Sequence, residues 1–288
     1  MSVTRRPKEN RQPIRSLRNV VEHELNRAVC QILAAGRKNP DGIHEVRKSL
    51  KKVRAVLRLV RTDLGKKRYR AQNRLARDTA RRLSVRRDDE VLFDTFERLT
   101  EPLSDNEKSL LRSVQDQLTD RKNAARRLLF FDRIRSLAGL LCLRRRIRKW
   151  PAVTKRSVSK GWKNEFKKAR TTWQIVEQNS DPLQVHEWRK RVKIHAYHVL
   201  LLAASDSKKR RDLLHELSDL LGRFHDLTVF REQLSFQPPA FGTAFQVSML
   251  DSLAEAEQAR LLAAARPLGK MLFGENSQQV AKSVKKNL

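Results

Sequence analysis

The sequence predicts an all-α fold, and three observations carry that reading. Glycine and proline number nine each in 288 residues, aromatic residues make up only 6%, and apolar residues recur at spacings of three and four rather than two. At 39% hydrophobic the chain has enough apolar content for a sizeable core, although 33% charged residues leaves it poorer in that content than an average domain. The charge is one-sided: 63 Lys+Arg against 32 Asp+Glu give a formal net charge of +31. A polyanionic partner is the first expectation, with nucleic acid, acidic membrane and inorganic polyanions all open.

The periodic segments predict helices over about 14–35, 41–62, 67–83 and 88–99, then one long helix over about 104–150. A helical pattern restarts near Ser159 after Pro151 and breaks at Asn179-Ser180-Asp181-Pro182. Pro182 suits the first position of the next helix, where its missing N–H would have no partner anyway. Further helices are expected over 183–204, 208–221 and 226–234. After Pro238-Pro239 the run FQVSMLDSLAEAEQARLLAAARPL predicts a last long one. Residues 238–288 carry only +2 of the net charge, so the last helix reads as scaffold and the charged partner surface lies earlier.

Two cysteines, Cys30 and Cys142, form neither a disulfide framework nor a metal or redox spacing and read as small buried residues. The N-terminal MSVTRRPKENRQPIRS has no apolar stretch behind its arginine pair, so no export signal is expected. The apolar patch Leu137 to Leu143 is far shorter than the ~20 residues that span a bilayer. A soluble, cytoplasmic protein without membrane insertion is the expectation.

An internal repeat organises the rest. IHEVRKSLKKVRAVLRLVR at 43–61 and VHEWRKRVKIHAYHVLLL at 185–202 share His-Glu-x-Arg-Lys, with His44 and His186 in register. Each is followed by a related segment, RLSVRRDDEVLF to Phe93 and LLGRFHDLTVF to Phe230, which pairs Asp88 with Asp226. Motifs in the same order at nearly the same separation predict a duplicated unit, with two four-helix lobes facing each other.

At 100° per residue, His44, Arg47, Lys48, Lys51, Arg54 and Arg58 fall within about 120° of one helix face. Val46, Val53, Val56, Leu57 and Val60 take the opposite side. In the second copy His186, Arg189, Lys190, Lys193 and Tyr197 share the cationic sector, while Trp188, Val192 and Val199 face a core. Solvated helix faces normally intersperse acids that pair at i,i+4, yet none occurs from Arg47 to Arg61. Like charges so placed oppose folding until an anion neutralises them, which predicts a binding face. Arginine forks and lysine point charges repeating along a helix suit a phosphate-like anion, and a histidine among them should lose basicity until that anion arrives.

These paired motifs, with GWKNEFKKAR at 161–170 and LLGRFHD, resemble the CHAD family of conserved histidine α-helical domains over roughly 14–269. The resemblance implies two pseudo-symmetric four-helix bundles around a basic central channel. It also implies binding of inorganic polyphosphate and, in some members, association with polyphosphate granules. It places family histidines on His44 and His186, basic positions on Arg47, Lys51, Arg54, Arg189, Lys190 and Lys193, and a third basic segment on Lys163, Phe166, Lys167, Lys168 and Arg170. The chain departs from the family at Ala196 (opposite Arg54), at Ser84 in place of a turn glycine, and at His225 in place of arginine. His195 and His198 are additional. The implied organisation is a basic extension over 1–13, a helical domain over 14–274 (lobes at about 14–150 and 159–274) and a polar tail over 275–288, in a stand-alone member.

Two rivals follow from the residues. Nucleic acid would satisfy the charge, but base reading usually adds aromatics or amides, and Tyr197 is the only aromatic on the two basic faces; adventitious RNA or DNA binding is still expected. A metal-dependent phosphohydrolase would use His225-Asp226, yet its repeat mate is Arg87-Asp88, and arginine is no ligand. The shared aspartate therefore reads as a helix cap or an arginine partner. His195 and His198 sit toward the core side and read as satisfied or partly buried histidines rather than zinc ligands. No catalytic residue, metal or cofactor is expected; the ligand roles of His215 and His225 stay open.

Overall fold

In the computed structural model, residues 13–34, 42–83, 87–124, 130–202 and 208–274 are described. They form eleven α-helices and one 3₁₀ turn, with no strand among them, so the all-α expectation is met. In chain order these are α1 (Pro13–Ala34), α2 (Gly42–Leu59), α3 (Arg61–Arg82), α4 (Arg87–Thr100), α5 (Asp105–Leu110), α6 (Arg112–Ala124) and α7 (Phe130–Ile147). They continue as α8 (Lys155–Gln178), α9 (Pro182–Leu202), α10 (Lys208–Phe236), the 3₁₀ turn Pro238–Phe241 and α11 (Ala244–Phe273). Among the described residues no helix is long and apolar enough to cross a membrane. The expected basic extension (save Pro13), the polar tail, Ser84 and the side chain of Asp88 lie outside the described residues.

Helix ends follow their local chemistry. Ser104 and Glu107 bond each other's backbone in a capping box that opens α5, and Thr243 with Gln246 does the same for α11. Thr154 Oγ1 accepts from the Ser157 amide and starts α8 four residues before the expected Ser159. The Asp63 carboxylate accepts from the Thr154 amide at 2.8 Å and fixes that cap to the start of α3. Within α3, Gly65 has φ 74, a backbone that a side chain would strain, and regular helix resumes just before the expected Lys67.

Three expectations need correction. The helix expected over 104–150 is broken by a turn at Leu111, whose N–H bonds to Lys108 O at 3.0 Å while its side chain is buried, and residues 125–129 between α6 and α7 lie outside the described residues. The helices over 208–221 and 226–234 are one, because Gly222 keeps helical backbone, at a cost of about 1 kcal/mol relative to alanine. Asp226 therefore caps nothing; its carboxylate stands 4.0 Å from Arg98 of α4. Cys30, expected inside, is exposed on α1, and Cys142 is half-buried.

The helices pack as two cycles. In one, α1, α2, α3 and α7 are neighbours in that order and α7 returns to α1; in the other, α8, α9, α10 and α11 close in the same order. The motif helices α2 and α9 hold the second place in each cycle and pack against one another, while α2 also meets α8. Helix α4 packs on α10 and α11, and α6 on α4. Val46, Val53, Val56, Leu57 and Val60 are fully buried, as are Trp188 and Val192, so the apolar faces read from the helical period are the core faces. Each such side chain contributes roughly 1.5–3 kcal/mol by leaving water.

Candidate functional site

Helices α2, α9 and α10 enclose a cavity of about 500 Å³. One turn apart on α2, His44, Lys48 and Lys51 line it, and from α9 Lys193 and Tyr197 do so at i,i+4. Helix α10 adds Arg211 and His215 with the acids Asp212 and Asp219, and Val199, Leu200 and Leu214 form an apolar wall. Fixed cations thus outnumber acids by Lys48, Lys51, Lys193 and Arg211 to two. His215 Nδ1 stands 2.8 Å from Asp219, at the exposed rim. Burial, then Glu24 and Glu45, raises the Tyr197 phenol pKa, so it remains a neutral O–H.

Beside Lys193 lies a feature absent from the sequence reading. His186 Nδ1 of α9 is 3.0 Å from His225 Nδ1 of α10, with ring centroids 4.3 Å apart. Burial pushes the His225 pKa down to about 3, and Arg189, His186, Lys193 and Lys190 push the same way. The His186 pKa is lowered by burial, then by Lys190 and Arg189. The expected loss of basicity among cations is therefore present at His186. Its partner had one sequence signal: position 225 aligns with an arginine in the first copy. Among the described residues no group of three or more His, Cys, Asp or Glu could hold a metal ion.

The rest of the expected α2 face turns elsewhere. Arg47 Nη1 donates to Leu83 O at 3.3 Å, at the end of α3. Arg54 Nε donates to Asn73 Oδ1 of α3 at 3.1 Å, and burial, then Arg58, lowers its pKa to about 10. Arg58 donates to Arg54 O and stands 3.6 Å from Glu165 of α8. Glu165 is buried and also meets Lys168 at 2.5 Å and Arg191 at 3.5 Å. Burial raises its pKa, but Lys168 and the two arginines outweigh that and hold it below the usual range.

The expectation that the α2 face lacks counter-charges is corrected at Arg58, which Glu165 of α8 meets, and at Lys48, 3.6 Å from Glu45 of α2 itself. Beside that face Glu24 of α1 bonds Lys52 Nζ at 2.5 Å and Ser49 Oγ at 2.7 Å, and Glu45 also pairs with Arg27 of α1. On α8, Lys163 and Lys167 are exposed and Arg170 is half-buried, and none of the three lines the cavity. What the 161–170 segment does is pack: a Cβ at Gly161 would sit 2.4 Å from Leu59 O, so glycine lets α8 approach α2.

Both extra histidines are core residues. His198 Nε2 bonds Ala55 O at 2.9 Å and joins α9 to α2. His195 departs from the expectation of a satisfied or partly buried histidine: it is fully buried, boxed by Trp162, Phe166 and Phe273, and among the described residues neither ring nitrogen has a partner.

Comparison with solved structures places this architecture. PptA from Streptomyces chartreusis superposes with a TM-score of 0.66 at 13% identity, covering 91% of this chain and 99% of that one. The CHAD domain from the plant Ricinus communis gives 0.60 at 21% identity, covering 88% of each chain. No curated protein matches the sequence. The CHAD domain family model matches residues 15–235. With that match across most of the chain, and the paired motif helices at equivalent places in the two cycles, the chain belongs to the CHAD domain family.

Proposed function

We propose that this protein binds a chain of inorganic polyphosphate and performs no chemistry on it. The observation that carries the reading is the convergence of Lys48 and Lys51 of α2 with Lys193 of α9 and Arg211 of α10 on one cavity. Lysines offer mobile point charges and arginine a fork, a mixture that accommodates successive phosphates of a flexible chain. Tyr197 can donate one hydrogen bond, but among the described residues the lining holds no asparagine, glutamine or stacked aromatic pair to read bases. Arg189 and Lys190 adjoin Lys193 on the same helix and extend the cationic track beyond the cavity, past the His186–His225 pair. Association with polyphosphate granules is the cellular counterpart of this reading.

The test is competition binding at near-physiological salt, with long-chain polyphosphate, RNA and duplex DNA at equal phosphate concentration and phosphate release followed in parallel. Preference for polyphosphate without release supports a dedicated binding module. Equal binding of all three points to a general nucleic-acid or polyanion role, and metal-dependent release would make the protein an enzyme.

A further inference from the structure

Helix α7 buries Ser136, Leu140, Leu143 and Ile147 against the first helical cycle, and Gly139 lets it lie directly on Thr79 of α3. Its outer face should then be mainly polar. Instead Phe131, Ile134 and Leu141 are 71%, 48% and 45% exposed, and Leu33 of the neighbouring α1 is 61% exposed. At 100° per residue the three α7 side chains fall within a sector of about 80°. Arg133 Nη2 donates to Ile32 O and Leu33 O at 3.1 and 3.3 Å, which fixes the end of α1 beside the start of α7. The three α7 side chains therefore form one apolar stripe on a helix whose start lies beside the end of α1, where Leu33 is also exposed, and none of the four lines the cavity between α2, α9 and α10.

The same face turns cationic along the helix. Arg135 is exposed on it, and Arg145, Arg146 and Arg148 are exposed at its far end. The one acid of α7, Asp132, is half-buried and about 100° from Phe131. A bare phosphate polymer would use the arginines but leave the apolar side chains in water. A second copy of this chain, with net charge +31, would meet like charge with like. An apolar stripe flanked by arginines on an exposed helix face instead matches a bilayer interface with anionic headgroups, where the ring and alkyl groups leave water and the guanidinium groups remain among phosphates. We infer that the α1/α7 face docks the protein on an anionic lipid bilayer, lying on it without crossing it.

The test is co-sedimentation of the full chain with vesicles of phosphatidylcholine alone and of phosphatidylcholine with phosphatidylglycerol. Binding is expected only to the anionic vesicles. The triple variant Phe131→Ser/Ile134→Ser/Leu141→Ser, whose net charge is unchanged, should lose it at least tenfold. Arg145→Ser/Arg148→Ser should weaken it, and Lys48→Ala/Lys51→Ala/Lys193→Ala, which lowers the net charge by three but leaves the α7 stripe intact, should bind vesicles as the wild type does. Undiminished binding by the triple variant would mean that net charge alone attracts the protein to vesicles, and would overturn the inference. So would no vesicle binding by the wild type, including the case where the face instead drives self-association seen in sedimentation velocity. Should the triple variant fold poorly, an environment-sensitive dye on Ile134→Cys in a Cys30→Ser/Cys142→Ser background gives the same decision: emission shifts to the blue on anionic vesicles if the face docks, and does not if it stays in water.

Discussion

His186 and His225 meet Nδ1 to Nδ1 at 3.0 Å, a contact in which one ring must donate a proton and the other accept it. Both rings have lowered pKa values, with Arg189, Lys190 and Lys193 on α9 crowding them, and Arg98 of α4 reaching Asp226 next to His225. The pair is therefore uncharged at neutral pH. A phosphate chain laid along α9 would offset the neighbouring cations and raise both pKa values.

Binding of long-chain polyphosphate is expected to take up protons as pH falls from neutral through the ordinary histidine value of about 6.5, so affinity rises as pH falls. Calorimetry in buffers of different ionisation enthalpy reads the uptake directly. His186→Asn/His225→Asn should abolish it; an uptake that persists in that double variant would place the titrating group elsewhere.

Lys51 and Lys193 reach the cavity from the two motif helices, whereas Arg47 is turned to Leu83 O. Lys51→Ala/Lys193→Ala is expected to flatten the slope of log affinity against log salt by about 1.4 if the polyanion behaves as a single-stranded nucleic acid does. Arg47→Ala should affect thermal stability more than that slope. A salt slope unchanged in the double variant would remove the cavity from the binding surface.

Gly161→Ala is expected to destabilise the fold by roughly 1–3 kcal/mol, because the new methyl group meets the Leu59 backbone rather than a side chain that could move. Lys163→Ala, two residues away and exposed, should be nearly neutral in stability. Urea unfolding of the two variants decides whether the 161–170 segment acts through packing.

Acid should weaken the fold through its buried histidines. Burial lowers the His198 pKa to about 4 despite its bond to Ala55 O, and it lowers that of His195 well below 6.5, with Arg210 adding to the effect. For a group whose folded pKa is depressed, the unfolded chain binds more protons on the acid side. The contribution is thus fully present above about pH 6.5 and is lost as pH falls toward 4, on the order of 3 kcal/mol for His198. Urea midpoints are expected to drop between about pH 7.5 and 5. His195→Leu, which removes two unpartnered ring nitrogens from an aromatic box, should reduce that drop without lowering stability at the higher pH.

The sequence by itself determined the all-α class, the core faces of α2 and α9 and the first-turn proline of α9, because each depends on helical period or on a chain of neighbouring residues. Val53, Val56 and Trp188 were readable as core from spacing alone. Only the tertiary structure decided where the cations of α2 point. A helical wheel places His44, Arg47, Lys48, Lys51, Arg54 and Arg58 in one sector, but that sector borders three helices. The structure gives Lys48 and Lys51 to the cavity, Arg47 and Arg54 to α3, and Arg58 to Glu165 of α8. Counter-charges such as Glu24 and Glu165, and the partnership of His186 with His225, join residues far apart in sequence. Local periodicity reports which side of a helix is apolar; only packing determines which neighbour each charge on the other side will meet.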